Sequence, residues 1–408
     1  MFHGLRSGSV VVILTVVLSG IGFSEEASST LQIQDLQKVA QQHLDQGDIL
    51  EASKIMESIV SDSADSKDVF WAQSNLAILK LQTQSDPNQG YALLSKIIAS
   101  EPNTLRTGEF LYKAATILHK QKKYDQAKDL YSRIRDQWIN TELGLKATVE
   151  LLKTAPALEN DPNGKQGIDE LHEQYGALEK LPEALYSLAN HYGHTQNPQK
   201  ALYAFEQIEK AWPDSPYATG ARMMSLAIAD TVSQSDPNCS RDLLAEAVSV
   251  KNAPVCLDAI AEAATLYSEK ARCERKYKQN PDSNARLQTM ISLGQLFLIK
   301  DTSSPKAAQI TFQVAQGCYD LGEYQKAADY YASVLSQWPT HPMVWHAQYR
   351  LGICYQAMEK AGLMDTESAQ ALTIKAYREL IAEFPNCPAT AAASQWLNSQ
   401  QDSVEGRI

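Results

Sequence analysis

Between residues 307 and 355 the apolar positions recur with the period of a helix, twice in succession. Phe312, Ala315, Cys318 and Tyr319 follow one another at short helical steps and share one face. Gly322 closes that run, because glycine accepts the left-handed conformation that a helix end often needs. A second stripe holds Tyr324, Ala327, Ala328, Tyr331, Val334 and Leu335. Pro339 stops it, since proline inside a helix loses a hydrogen bond and clashes with the preceding turn. Small residues at 315 and 327 let two helix backbones approach while Tyr324 and Tyr331 fill the groove beside them. Neither helix buries its stripe alone, so the unit predicts stacked neighbours.

The same ladder recurs along the chain. Alanines twelve apart stand at Ala40/Ala52, Ala115/Ala127, Ala189/Ala201 and Ala315/Ala327. Four residues after the second alanine come Met56, Tyr131, Phe205 and Tyr331, and three before it Ile49, Tyr124, Pro198 and Tyr324. Pro213 and Pro339 each follow a tryptophan. Looser copies lie at 89–102, 166–182 and 239–250. From these patterns helices are expected at 31–46, 49–61, 67–83, 88–99, 106–120 and 124–138. An N-terminal block of 31–153 should give way to a loop or bend at 154–166. A C-terminal block of 167–398 follows, irregular at about 253–305, and a polar tail at 399–408.

These residues resemble tetratricopeptide repeats, whose consensus places a small residue, an aromatic, Gly, Tyr, Ala, Tyr and Pro at the same offsets. The resemblance covers roughly 31–398. The stretches WPDSPYATGA (212–221), WPTHPMVWHAQYRLGICY (338–355) and FPNCPATAAA (384–393) are in addition similar to bacterial cell-envelope repeat proteins. Those are the outer-membrane-assembly lipoprotein and the Tol-Pal-associated periplasmic protein, which share an aromatic-Pro-x-x-Pro link. The expected fold is an all-α, right-handed superhelical solenoid of stacked helix pairs. In such a solenoid the first helices of the pairs line a concave face where an extended peptide or a helix of another protein can lie. Candidate partner-binding positions on those helices are Asn190, Thr195, Gln313, Gln316, Gln348, Arg350 and Gln356. The resemblance implies an adaptor in envelope maintenance, outer-membrane assembly or cell division.

Charge narrows the partner. The chain has a formal net charge of −11, which opposes a phosphate-binding surface of clustered Lys and Arg. No nucleic-acid partner is expected. Residues 1–24 carry Arg6, an apolar run from Val10 and small residues before Glu25, the pattern of a secretory signal peptide cleaved near Ser24. A polar leader at 25–30 follows. No cysteine follows the apolar run, unlike the lipoprotein, so membrane contact is expected only indirectly or through an uncleaved N-terminal helix. The expected location is extracytoplasmic, in the periplasm. An inner-membrane-anchored scaffold and a glycan-binding or glycan-processing helical protein are the alternatives.

Chemistry is sparse. Six cysteines lie at 239, 256, 273, 318, 354 and 387. Export permits disulfides, and Cys239 with Cys273 is the pair considered, whereas Cys318 and Cys354 read as apolar core thiols. His191 and His194 share a helical face but lack a third ligand nearby in sequence, and Gly193 reads as a helix end, so the pair reads as structural. The basic run EKARCERKYK (269–278) reads as a solvated face, with a local acidic-ligand site as the alternative. Tyr124, Tyr131, Tyr192, Tyr324, Tyr331 and Tyr355 read as packing residues rather than a sugar platform. No catalytic, cofactor-binding or metal residue is indicated, and no enzyme motif is found.

Overall fold

The computed structural model describes residues 25–83, 87–100, 103–154, 165–195, 197–233, 238–250, 252–277 and 282–405. The expected signal peptide at 1–24 and most of the expected bend at 154–166 lie outside these residues. The chain divides into two compact units, Met1–Pro156 and Ala157–Ile408. Among the described residues nineteen helices and no strand occur.

The first unit holds α1 (Glu25–Asp45), α2 (Ile49–Asp62), α3 (Ser66–Thr83), α4 (Pro87–Ser100), α5 (Leu105–Lys120), α6 (Tyr124–Gln137) and α7 (Glu142–Thr154). The second begins with α8 (Lys165–Tyr175), α9 (Leu181–His194), α10 (Pro198–Ala211) and α11 (Pro216–Ile228), which runs on into a π turn at Ala229–Ser233. Then come α12 (Cys239–Ser249), α13 (Pro254–Tyr277), α14 (Asp282–Lys300), α15 (Ala307–Asp320), α16 (Tyr324–Gln337), α17 (Val344–Lys360), α18 (Thr366–Glu383) and α19 (Thr390–Glu405). Within each unit consecutive helices pack as hairpins, and each hairpin packs on the next.

The alanine ladder is the seam of these hairpins. Ala40, Ala52, Ala115, Ala127, Ala189, Ala201, Ala315 and Ala327 are all fully buried. Met56, Tyr131, Phe205 and Tyr331 are buried beside them. Three hairpins share an aromatic pair that spans the two helices: Tyr112–Tyr131, Tyr186–Phe205 and Phe312–Tyr331, each edge to face at 5.2–5.6 Å. Such pairs add roughly 0.5–1.5 kcal/mol beyond area burial.

One turn geometry joins the helices of four hairpins. At Gly322 (φ 82°) the N–H groups of Gly322 and Glu323 donate to the carbonyls of Tyr319 and Cys318. Gly47, Lys122 and Gly362 repeat the pattern with φ of 77°, 63° and 68°. Two backward hydrogen bonds thus satisfy carbonyls the helix end would leave unpaired.

Several boundaries differ from expectation. α1 begins at Glu25, so the leader at 25–30 is helical. α19 continues to Glu405 through most of the expected tail. α17 runs past Tyr355 to Lys360, and α18 starts at Thr366, capped by Asp365 Oδ1 accepting from Ser368 N–H at 2.8 Å. Gly193 is not a helix end. It lies inside α9 where a Cβ would come within 3.1 Å of Ile228, so its lack of a side chain serves close packing.

Candidate functional site

In the second unit the first helices of successive hairpins follow one another: α9 meets α11, α11 meets α13, and α13 meets α15. Their polar side chains bond across these junctions. Lys306 at the start of α15 reaches Asp258 (3.0 Å) and Glu262 (2.8 Å) on α13. Thr265 and Gln313 meet at 3.4 Å, and Arg275 approaches Asp320 at 3.9 Å. Three rungs thereby run along the α13–α15 junction.

Glu262 is the node. His194, at the end of α9, places Nε2 3.0 Å from Glu262 Oε2, so this one carboxylate serves α9, α13 and α15. The hydrogen bond from His194 outweighs burial and, with Lys306, holds Glu262 down to about 2. The reciprocal bond raises His194 above its ordinary value. For Lys306 burial works downward, yet the bonds to Glu262 and Asp258 raise it overall. The carboxylate absent from the local sequence around His194 is therefore supplied by a residue 68 positions away. It forms an ion pair, and among the described residues no group of three His, Cys, Asp or Glu is placed to hold a metal.

The candidate positions fall in different places. Asn190 is half-buried on α9, with Oδ1 buried and unpartnered among the described residues. Thr195 is exposed but caps α9, donating its hydroxyl to His191 O at 2.8 Å. Gln316 has both amide atoms in use: Nε2 donates to Asp320 at 3.0 Å, and Oε1 accepts from Tyr331 at 3.2 Å. Gln348 is a correction. It is buried, because it lies a turn before Gly352 on the side of α17 that meets α18, and it donates to Ala376 O (3.1 Å) and Glu379 (3.0 Å). Arg350 is half-buried with Nε lacking a partner. Its charge is felt by Tyr319, Asp320, Tyr331 and His346.

Gln356 lines a cleft of about 300 Å³ at the α15–α16 turn, together with Tyr319, Tyr324, Ile353, Ala357 and Lys360. Its Nε2 donates to Tyr377 at 2.7 Å, which fixes the amide. The Tyr319 and Tyr324 rings sit 5.2 Å apart and tilted. Nothing in the linear pattern marked this cleft, since its walls come from two consecutive hairpins.

Of the cysteines, Cys239 is buried and Cys273 exposed, and neither is in a disulfide. The pairing considered for them is not formed. Cys318 and Cys354 are core thiols pushed up to about 11 and about 12 by burial. The basic run is only partly a solvated face. Glu274 within it is buried and accepts from Arg286 Nε on α14 at 3.0 and 3.1 Å. Arg286 also approaches Asp230 in the π turn at 3.4 Å, and Tyr267 donates its hydroxyl to the same carboxylate. Among the described residues no helix is long and apolar enough to cross a membrane.

Family models of the tetratricopeptide repeat match residues 109–138, 299–361 and 346–386. These stretches thus match tetratricopeptide repeats, and they fall on the hairpins α5–α6, α15–α16 and α17–α18. Its solved neighbours include a tetratricopeptide repeat protein from Parabacteroides merdae, 12% identical, covering 79% of this chain and 98% of that one, with a TM-score of 0.39. Another is a set of kinesin light chain repeats from Podosopora anserina, 17% identical, covering 50% and 97%, TM-score 0.35. A third is the repeat domain of P58(IPK), 15% identical, covering 91% and 99%, TM-score 0.24. No curated protein matches the chain.

Proposed function

We propose that the protein is a non-enzymatic adaptor of the bacterial cell envelope, holding a segment of another protein against the first helices of its second unit. The carrying observation is the row of polar side chains along α9, α13 and α15. Tied to one another at their junctions, they present a preorganised polar surface beside a cleft. Preorganisation lowers the ordering cost of binding. Because extended backbone needs polar partners along its length, a row of amides and carboxylates, with Arg350 on α17, suits a peptide better than a small metabolite.

The envelope location rests on the export pattern of residues 1–24 and on the Trp-Pro-x-x-Pro links at 212–216 and 338–342. Mass spectrometry of the protein purified from its own cells should find a mature N-terminus near Glu25. An intact Met1 would remove the cleaved form and favour an anchored scaffold.

The binding test is crosslinking and affinity purification from envelope fractions, with wild-type protein and Arg350→Glu. One dominant protein partner, diminished by the substitution, is the expected result. Equal recovery with both proteins would move the interface elsewhere. Recovery of glycan fragments alone would overturn the adaptor reading.

A further inference from the structure

The cleft at the α15–α16 turn has a definite chemistry. Ile353, Ala357 and Ala361 give it an apolar side, and Tyr319, Tyr324 and Gln356 a side with polar tips. Its one charged lining residue is Lys360, at the exposed end of α17. Lys360 has no ion-pair partner among the described residues, and the Tyr319 and Tyr324 hydroxyls make no hydrogen bond there. The acids nearby are already engaged. Glu323 is paired with Lys326 at 3.1 Å, and Asp320 accepts from Gln316 and faces Arg275. One cation and two tyrosines therefore border a half-open cleft of about 300 Å³ with mixed polar and apolar walls, room for one large side chain.

Resting on the adaptor reading, we infer that this cleft receives an apolar side chain from an internal segment of the partner protein. A neighbouring aspartate or glutamate of that segment places its carboxylate against Lys360 and the tyrosine hydroxyls. Charge complementarity selects the acid, since an ammonium with two phenolic donors satisfies a carboxylate and leaves a cationic residue unpaired. Lining residues also say why the segment is internal. Arg350 falls at helical spacing on the same face of α17 as Ile353, Ala357 and Lys360, outside the cleft, so a chain running on along that face meets a second cation with no ion-pair partner among the described residues. Arg350 and Lys360 are ten residues apart on the helix, roughly 15 Å. An extended partner spans that in about four or five residues, so a second acidic residue at this spacing would meet Arg350.

Isothermal titration of the full chain with three probes tests the inference: acetyl-Phe-Glu-amide, acetyl-Phe-Gln-amide, and acetyl-Phe with a free carboxylate. The glutamate probe should bind at least about tenfold tighter than its glutamine isostere, the ratio expected for one charged contact. Lys360→Glu should erase that difference, and Ala357→Trp, which fills the cleft, should abolish binding of both. Lys360→Gln serves as a second variant, and unchanged circular dichroism certifies the fold of each. Equal binding of glutamate and glutamine probes overturns the inference, as does binding that survives Ala357→Trp or no binding to wild type. Binding of the free-carboxylate probe alone overturns the internal segment in favour of a chain terminus. Failure of all three probes alongside a crosslinked partner would sink this inference and leave the adaptor reading standing.

Discussion

Lys122 occupies the left-handed backbone conformation (φ 63°) that Gly47, Gly322 and Gly362 adopt in the equivalent turns. A side chain there strains the turn, and glycine removes the strain while loosening the unfolded chain. Lys122→Gly should therefore stabilise the first unit by about 0.5–1 kcal/mol, read as a raised midpoint in urea unfolding, whereas Lys122→Ala should gain nothing. A second residue-scale expectation concerns His194. Its folded pKa lies above the ordinary 6.5, so its bond to Glu262 contributes full stability below that pH. The contribution is lost as pH rises through the raised value. Glu262 runs the other way: its share is present above 4.5 and is lost as pH falls toward about 2. His194→Gln should flatten the decline in melting temperature above pH 6.5 and leave the acid limb in place. An equally steep alkaline decline in the variant would contradict this.

At the scale of elements, what was legible in the sequence was local. The alanines twelve apart, Gly322 and Pro339 act within one hairpin, and their spacing survives as a periodic signal. The aromatic pairs Tyr112–Tyr131, Tyr186–Phe205 and Phe312–Tyr331 share a fixed spacing too, yet each aromatic alone reads as one more core residue. Lys122 hid a turn because only its backbone, not its side chain, has the role of a glycine. The Glu262 node and the α15–α17 cleft were illegible for a different reason. They join residues of separate hairpins, and no local period records which side chains meet. Gln348 failed because one helical step turns an outward position into a buried one. The α13–α14 hairpin shows a related limit: its charged run looked solvated, but Glu274 and Arg286 are buried together. Arg286→Met would leave Glu274 buried and unpaired and should cost about 3–5 kcal/mol. Arg286→Met with Glu274→Leu should recover most of the loss, as measured by chemical unfolding. A double variant no better than the single would locate the dominant role of Arg286 at Asp230 instead.

Across the molecule, an acidic chain of net charge −11 distributes its charge unevenly within the second unit. On α13 the acids Asp258 and Glu262 are neutralised by Lys306 and His194. On α17 the cations Arg350 and Lys360 have no ion-pair partner among the described residues. On the proposed adaptor reading this arrangement has a use, because each hairpin contributes one helix to a row that could meet a partner residue by residue. The row's charge then gives specificity and association rate more than raw affinity. The most direct measurement of this account is site-specific photo-crosslinking in the producing cells. A photoreactive residue would be placed in turn at Ile353 on the proposed face and at Lys375 on α18. The account predicts one protein adduct from position 353 and none from 375. An adduct from 375 alone would contradict it.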